Sequence, residues 1–519
     1  MTARGRLPAL IALALLIAGW EALARATTDS FLIAGPGEIV RWIWSNAGLL
    51  GRALAVTLGN AGLGFVLGNL AAVALAAAAS VRPRAEPVVS GLALIVFCLP
   101  LVATGPILRV LWGPGNGPQV TLAALAVYYT TYLPLVVGLR AAPSTWFDLV
   151  RSYGRGRWAE LVHVRARAAL PYLFAGLQIA APAAVLGAMV GEFTGAERGL
   201  GVLTIRALRA LDLPATWALA TVAAGAAILA YAGIGALARW ALSEAPPMIL
   251  SPPRATGRGD GTLARLGRGA AVAALAVAAW WAAMEAAGLN RFFAKRPDDL
   301  WAAYVSSPGA EALRGTLGAA LAETLAAVGP GYAAGLAAGA ALAVLLHLIP
   351  AAGAVAMPLA VALRSVPIVV TAPLIVLALG REATGTVTLV AVMVFFPTFV
   401  ACLHGLRQAP GQALDVLRTY AAGPVARLVH VALPAMLPAF FAAARMAVPA
   451  SILAVTVVEW LATGRGVGAL MALSASLSDY ATLWGSVVAV AAVSALGYAA
   501  VAAVERRVLS VYAAEQAAA

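Results

Sequence analysis

Charge is scarce in this chain. Of its 519 residues only 11% are Asp, Glu, Lys or Arg, while 62% are hydrophobic. A soluble domain carries about 25% charged residues. So few charges cannot cover a water-exposed surface of this size, and a soluble globular protein is excluded. Lysine is scarcer still, with Lys295 alone. A phosphate-cradling P-loop needs a lysine directly after its glycines, and Lys295 follows no glycine loop. The chain therefore has no P-loop for ATP. The two cysteines, Cys98 and Cys402, lie far apart in apolar surroundings. That excludes a disulfide framework and a metal site of Cys-x-x-Cys spacing; both read as small core residues. The four histidines, His163, His347, His404 and His430, are scattered. No metal set, nucleophilic triad or paired-carboxylate constellation emerges, so no catalytic residue, metal or cofactor is expected in this chain.

What is abundant is apolar sequence. Several runs reach the roughly 20 residues that span a bilayer as a helix, so the chain reads as an all-α polytopic membrane protein. The net charge of +13 could suggest nucleic acid. Arginine-rich cytoplasmic loops that orient the spans account for it more simply, and no nucleic-acid partner is expected.

The chain also contains itself twice. Residues 143–201 align without a gap on residues 410–468, at an offset of 267, with 24 of 59 positions identical. The identities include Asp148/Asp415, Arg151/Arg418, Tyr153/Tyr420, His163/His430, Pro171/Pro438, Glu192/Glu459 and Arg198/Arg465. Shared alanine content would not repeat these in register, so this is an internal duplication. Six spans are expected per copy: 7–23, 49–80, 88–112, 120–139, 168–193 and 214–240, then 270–287, 313–348, 355–379, 387–406, 435–461 and 480–504. The run at 7–23 could pass for a signal peptide, but its counterpart at 270–287 lies deep inside the chain, so both read as first spans. Each is expected to be followed by an extended polar segment, Gly35-Pro36-Gly37-Glu38 and Lys295-Arg296-Pro297-Asp298. The glycines Gly62, Gly64 and Gly68 recur as Gly329, Gly331 and Gly335; small residues at such spacing let spans approach closely. The reading is a first repeat over 1–242, a Pro-, Gly- and Arg-rich cytoplasmic linker over 243–268, and a second repeat over 269–519. An even number of spans makes the repeats parallel about an axis along the membrane normal, with both termini in the cytoplasm. A short loop with Arg198-Gly199-Leu200-Gly201, or Arg465-Gly466-Val467-Gly468, is expected to return outside before each sixth span, where Trp217 and Trp484 occupy matching interfacial positions.

Residues 146–164 are too polar to span. They read as a short amphipathic helix, a turn at Gly154 and a second helical piece, placed in the cytoplasm by their arginines. A cytoplasmic loop with a central glycine, followed by Leu-Pro and a long span, resembles the Glu-Ala-Ala loop of ABC importer permeases. The first copy offers Asp148-Leu149-Val150, Gly154 and Leu170-Pro171; the second offers Asp415-Val416-Leu417, Ala421, Leu433-Pro434 and Leu437-Pro438. The phrases around Leu170-Pro171 and Arg198-Gly199-Leu200-Gly201, with Arg364-Ser365-Val366-Pro367, look like the sulfonate, taurine and nitrate branch, which includes permeases for thiamine-precursor pyrimidines. The resemblance covers nearly the whole chain twice, as two fused permeases of the type I importer kind. Both copies replace the motif Glu by Asp, the second lacks the glycine, and the first has Ala166-Arg167 where the second has Leu433-Pro434. Two unequal docking sites are therefore expected.

The resemblance implies an ATP-driven importer of a bacterial plasma membrane, with this chain forming the solute pathway. It implies a cytoplasmic ATPase dimer that carries the ATP and magnesium, and an extracytoplasmic solute-binding protein. The coupling residues it implies are Asp148, Arg151, Tyr153, Gly154, Asp415, Arg418, Tyr420 and Ala421. Pathway candidates come from the third spans. Proline frees backbone carbonyls, which membrane depth tolerates only inside protein or along a cavity; this singles out Pro100 and Pro367, with Thr104 and Thr371 one turn on. A packing kink explains the prolines equally. Glu192 and Glu459 are the acidic residues that match across the copies beside a span, and they are gate candidates; pairing with Arg198 and Arg465 is the structural alternative. An ion-coupled secondary transporter also uses parallel repeats and would want ionisable groups in mid-membrane. Glu192 and Glu459 are the main candidates for that but lie near span ends, and Glu323 and Arg445 are unmatched, standing opposite Val56 and Gln178 in the other copy. A membrane enzyme would need a catalytic cluster at one face, and none is visible.

Overall fold

The computed structural model describes residues 14, 17–26, 33–82, 85–242, 262–349 and 383–512. Among these the chain is helical and contains no strand. The first repeat comprises α1 (Pro36–Ser45), α2 (Ala47–Val81), α3 (Glu86–Phe97), α4 (Leu101–Trp112), α5 (Gly117–Arg140), α6 (Ser144–Ser152), α7 (Arg157–Phe193), α8 (Leu200–Arg209) and α9 (Leu213–Ala241). The second comprises α10 (Thr262–Ala286), α11 (Pro297–Trp301, continued by the wider turn Ala302–Ser306), α12 (Ala310–Leu348), α13 (Ala383–Arg407), α14 (Gly411–Thr419), α15 (Pro424–Thr463), α16 (Gly466–Ser476) and α17 (Tyr480–Tyr512). Among the described residues nine helices are long and apolar enough to cross a membrane, and α3 with α4 makes a tenth candidate. The expected first span, 7–23, lies partly outside the described residues. The expected third span of the second copy, 355–379, lies wholly outside them.

Each half packs alike. In the first, α5 sits between α2 and α7, with α9 against α7; α13 sits between α12 and α15, with α17 against α15. The glycines decide how close the second and fourth spans come. A Cβ on Gly68 would stand 2.5 Å from the Ala124 carbonyl oxygen, and one on Gly335 2.6 Å from that of Ala391. Ala124 and Ala391 are themselves repeat-matched, so the same backbone contact is made twice. Gly62 and Gly329 meet nothing within 4 Å, so only part of the glycine pattern serves packing.

The halves interlock through α4. Its Ala103 and Ile107 enter a buried cluster with Val448, Ile452, Met471 and Trp484 of the second half. In return Val457 joins the first half's cluster with Phe193 and Leu200. Helix α10 also crosses over, with Val272 against Gly91 of α3, while its Trp280 stacks on Trp484 at 5.3 Å. The equivalent pair in the first half is Trp20 and Trp217, at 5.5 Å.

Three expectations need correction. The third span is two helices bent by 91°, rather than one kinked helix; Pro100 stands extended at the break as the N-cap of α4. The polar segments after the first spans become helical at once. Pro36 and Pro297 are first helical residues, followed by Glu38 and by Asp298 and Asp299; proline preset at N1 and acids facing the helix dipole favour that start. Finally, the return between the fifth and sixth spans is no simple loop, because it holds α8 and α16. The sixth spans then begin at matched aspartates, with Asp212 accepting from the Ala215 N–H at 3.0 Å and Asp479 from the Thr482 N–H at 3.1 Å.

Candidate functional site

The paired polar loops form α6 and α14, nine residues each. Both start after an extended proline, Pro143 or Pro410, and end at Tyr153 or Tyr420. The next residue is left-handed in both: Gly154 at φ 68° and Ala421 at φ 54°. The turn geometry is thus kept where the glycine is lost. An alanine there carries a cost of about 1–2 kcal/mol. Ala421→Gly is expected to raise the thermal stability of the purified chain by about 1 kcal/mol, and Gly154→Ala to lower it by a similar amount. Thermal unfolding of the two variants checks both signs.

Beyond the turn, each loop runs into the fifth span through a π-helical turn, Leu161–Arg165 and Leu428–Ala432. These turns carry His163 and His430; His430 Nδ1 lies 2.8 Å from the Ala426 carbonyl oxygen. Four matched pairs of apolar side chains stand out from this region: Leu149/Val416, Tyr153/Tyr420, Trp158/Val425 and Val162/Val429, between 48% and 81% exposed. Asp148 and Asp415 are exposed, with Arg151 at 3.7 Å and Arg418 at 2.9 Å. The loops differ in one tie. Arg151 Nε also donates to the buried Glu160 at 2.8 Å, and Arg427 occupies the position of Glu160 in the second copy.

Glu192 and Glu459 are buried, and both carboxylates serve the same local purpose. Thr57 Oγ1 donates to Glu192 at 2.8 Å, and the Gly201 N–H donates to its other oxygen at 2.7 Å. The Leu200 N–H donates to Thr57 Oγ1 at 2.9 Å. In the second half Thr324 donates to Glu459 at 2.8 Å, the Gly468 N–H at 2.9 Å, and the Val467 N–H reaches Thr324 at 2.9 Å. The first N–H groups of a helix lack intrahelical acceptors and its N-terminus favours an anion. A carboxylate at the end of the fifth span therefore caps the short helix that follows. Gly199 (φ 129°) and Gly466 (φ 76°) make the turn, and a Cβ on either would fall on the carboxylate it faces. Arg198 and Arg465 are exposed, and the carboxylates are taken by these hydroxyls and amides instead.

Sequence reading missed Thr57 and Thr324, although they match at the same offset of 267 as the glutamates. Glu323 joins the cap of the second half, accepting from the Gly466 N–H at 2.9 Å. Arg445 lies 2.9 Å from Glu505, with side chains 13% and 6% exposed. Both mid-chain ionisable candidates are thus held in structural contacts. Thr104 is buried and donates to the Leu101 carbonyl at 2.9 Å. Pro100 and Thr104 lie at the half–half junction made by α4. Pro367 and Thr371 lie outside the described residues.

The profile of the binding-protein-dependent transport system inner membrane component matches residues 64–242 and again 331–510. The chain belongs to this family. The two matches start 267 residues apart, the offset of the duplication. A probable ABC transporter permease protein of Haemophilus influenzae is 30% identical over 199 residues, covering 38% of this chain and 81% of that protein. The riboflavin transport system permease protein of Chloroflexus aurantiacus is 30% identical over 217 residues, 41% of this chain and 81% of its own length. The formylaminopyrimidine transport permease protein of Halalkalibacterium halodurans is 27% identical over 216 residues, 41% and 86%. A relative of this family thus matches about one repeat, and the family's fold is present twice in a multi-pass membrane protein.

Proposed function

We propose that the chain is the complete pair of transmembrane halves of an ATP-driven importer, with the solute path between its repeats. One observation carries this reading: two amphipathic helices outside the spans, repeat-matched, each ending in the same left-handed turn, with the same four apolar positions exposed on the helix, the turn and the start of the next helix. Exposed apolar side chains clustered beyond the spans mark a protein-binding surface. Two such surfaces suit a dimeric partner, the cytoplasmic ATPase that carries ATP and magnesium. Tyr153 and Tyr420 are the anchors, and the loops transmit motion through the π-turns into the fifth spans. A binding protein delivers the solute from the opposite face. The solute is a small organic molecule of the sulfonate, taurine or nitrate kind, or a pyrimidine such as the one that names the Halalkalibacterium relative. The protein sits in a bacterial plasma membrane with both termini and the linker in the cytoplasm.

Two outcomes are expected. Affinity purification of the tagged chain from its native membrane should bring down an ATPase subunit, and Gly154→Asp combined with Ala421→Asp should release it while the helices stay folded. Retention of the ATPase by the double variant would refute the docking assignment. Orientation is read by labelling. Cys98 and Cys402 are buried, so cysteines introduced elsewhere stand out. An impermeant maleimide applied outside should reach Ala196→Cys and miss Ser152→Cys; the reverse pattern would invert the topology.

A further inference from the structure

The end of α2 and the start of α7 enclose a cavity of about 170 Å³, lined chiefly by Ser80, Arg151, Arg157, Glu160 and Arg165. Three guanidinium groups face one carboxylate, which leaves the wall with two positive charges in excess. The cavity is built rather than incidental. Arg151 is fixed by Glu160 at 2.8 Å, and Arg165 Nη1 donates to Ser80 Oγ at 3.3 Å while its guanidinium lies 4.9 Å over the Phe147 ring. Its position is equally telling. The apolar second span ends at Val81, and the apolar run of the fifth begins at Ala168, just past Arg165 and Arg167. The cavity thus lies at the polar end of two apolar spans, where a bilayer's headgroup region begins. The second half has no counterpart: the same register places His347, Pro424, Arg427 and Ala432 where the first half has Ser80, Arg157, Glu160 and Arg165.

We propose that this cavity is a phosphate site, holding the phosphate of an anionic lipid headgroup against Arg157, Arg165 and Ser80. Planar guanidinium groups bind phosphate oxygens through charge-assisted hydrogen bonds, and basic pockets between spans at the membrane boundary take anionic headgroups. Because Arg151 belongs both to this wall and to α6, a bound phosphate would tie the first loop, and only the first, to the bilayer. The two loops would then differ in their coupling to lipid as well as in sequence.

The test measures binding, so it does not depend on transport or on any partner. The full-length chain is purified from its native membrane, exchanged into phosphatidylcholine and supplied with phosphatidylglycerol. Native mass spectrometry should show one phosphatidylglycerol more on the wild type than on Arg157→Gln/Arg165→Gln, whose affinity for it should fall about tenfold or more. Arg157 is exposed, so Arg157→Gln alone should fold normally and lose part of the binding. A second arm titrates inorganic phosphate by calorimetry. Phosphate binding that the double variant loses, with phosphatidylglycerol retention unchanged, assigns the same site chemistry to free phosphate. Equal retention of the lipid and an equal phosphate response in wild type and both variants would overturn the proposal.

Discussion

Arg445→Ala is expected to destabilise the chain by about 3–5 kcal/mol, the cost of leaving a buried charge without its partner. Arg445 stands in α15 and Glu505 in α17, 2.9 Å apart and nearly closed to solvent, with Tyr498 5.8 Å from the guanidinium. The first half offers an internal control. At the same register it has Gln178 and Ala238, an uncharged solution to the same packing of fifth against sixth span. Glu505→Ala should therefore be about as harmful as Arg445→Ala, whereas Arg445→Gln with Glu505→Ala should recover most of the stability. Thermal unfolding and yield of the three variants read this directly. Double-variant losses equal to the sum of the single losses would show that the pair does not act as a unit.

The second large effect is expected at the caps. Thr57→Val removes a hydroxyl that both donates to Glu192 and accepts from the Leu200 N–H. Two buried groups lose a partner, at about 1–3 kcal/mol each. Thr324→Val should repeat the effect in the second half through Glu459 and the Val467 N–H. Serine at either position keeps the hydroxyl and should restore stability. A valine variant with unchanged melting and unchanged protease resistance at residues 199–209 would show that these hydroxyls do not hold the short helices.

How far the sequence reveals this molecule depends on how local each feature is. The duplication and the spans rest on long, repeated apolar patterns, and among the described residues the long helices lie where those patterns lie. The left-handed turn after α6 was visible in Gly154, and its persistence after α14 at Ala421 shows the fold overriding a local preference. The short helices α8 and α16 were hidden for a physical reason. Their N-termini are capped by Glu192 and Glu459 from another helix and by Thr57 and Thr324 from a third. Hence no capping signal appears in the residues just before them, where Arg198-Gly199 and Gly464-Arg465 read as loop. The 91° break was foreshadowed by Pro100, but proline shows where backbone bonds are lost and not by how much the chain then turns. The pairing of Glu160 with Arg151 was hidden because the two are nine residues apart across a turn, which neither helical nor strand periodicity signals.

In the proposed function, ATP hydrolysis in another protein is coupled to movement of these two halves. The most direct measurement is solute uptake into proteoliposomes that hold the purified chain with the ATPase subunit that copurifies with it, with the binding protein and its solute on the opposite face. Uptake should require ATP on the loop side, the chain without that subunit should hydrolyse none, and Gly154→Asp with Ala421→Asp should reduce uptake by about tenfold or more, at least 1.4 kcal/mol of lost coupling. Solute accumulation driven by a proton or sodium gradient in the absence of ATP would contradict the account.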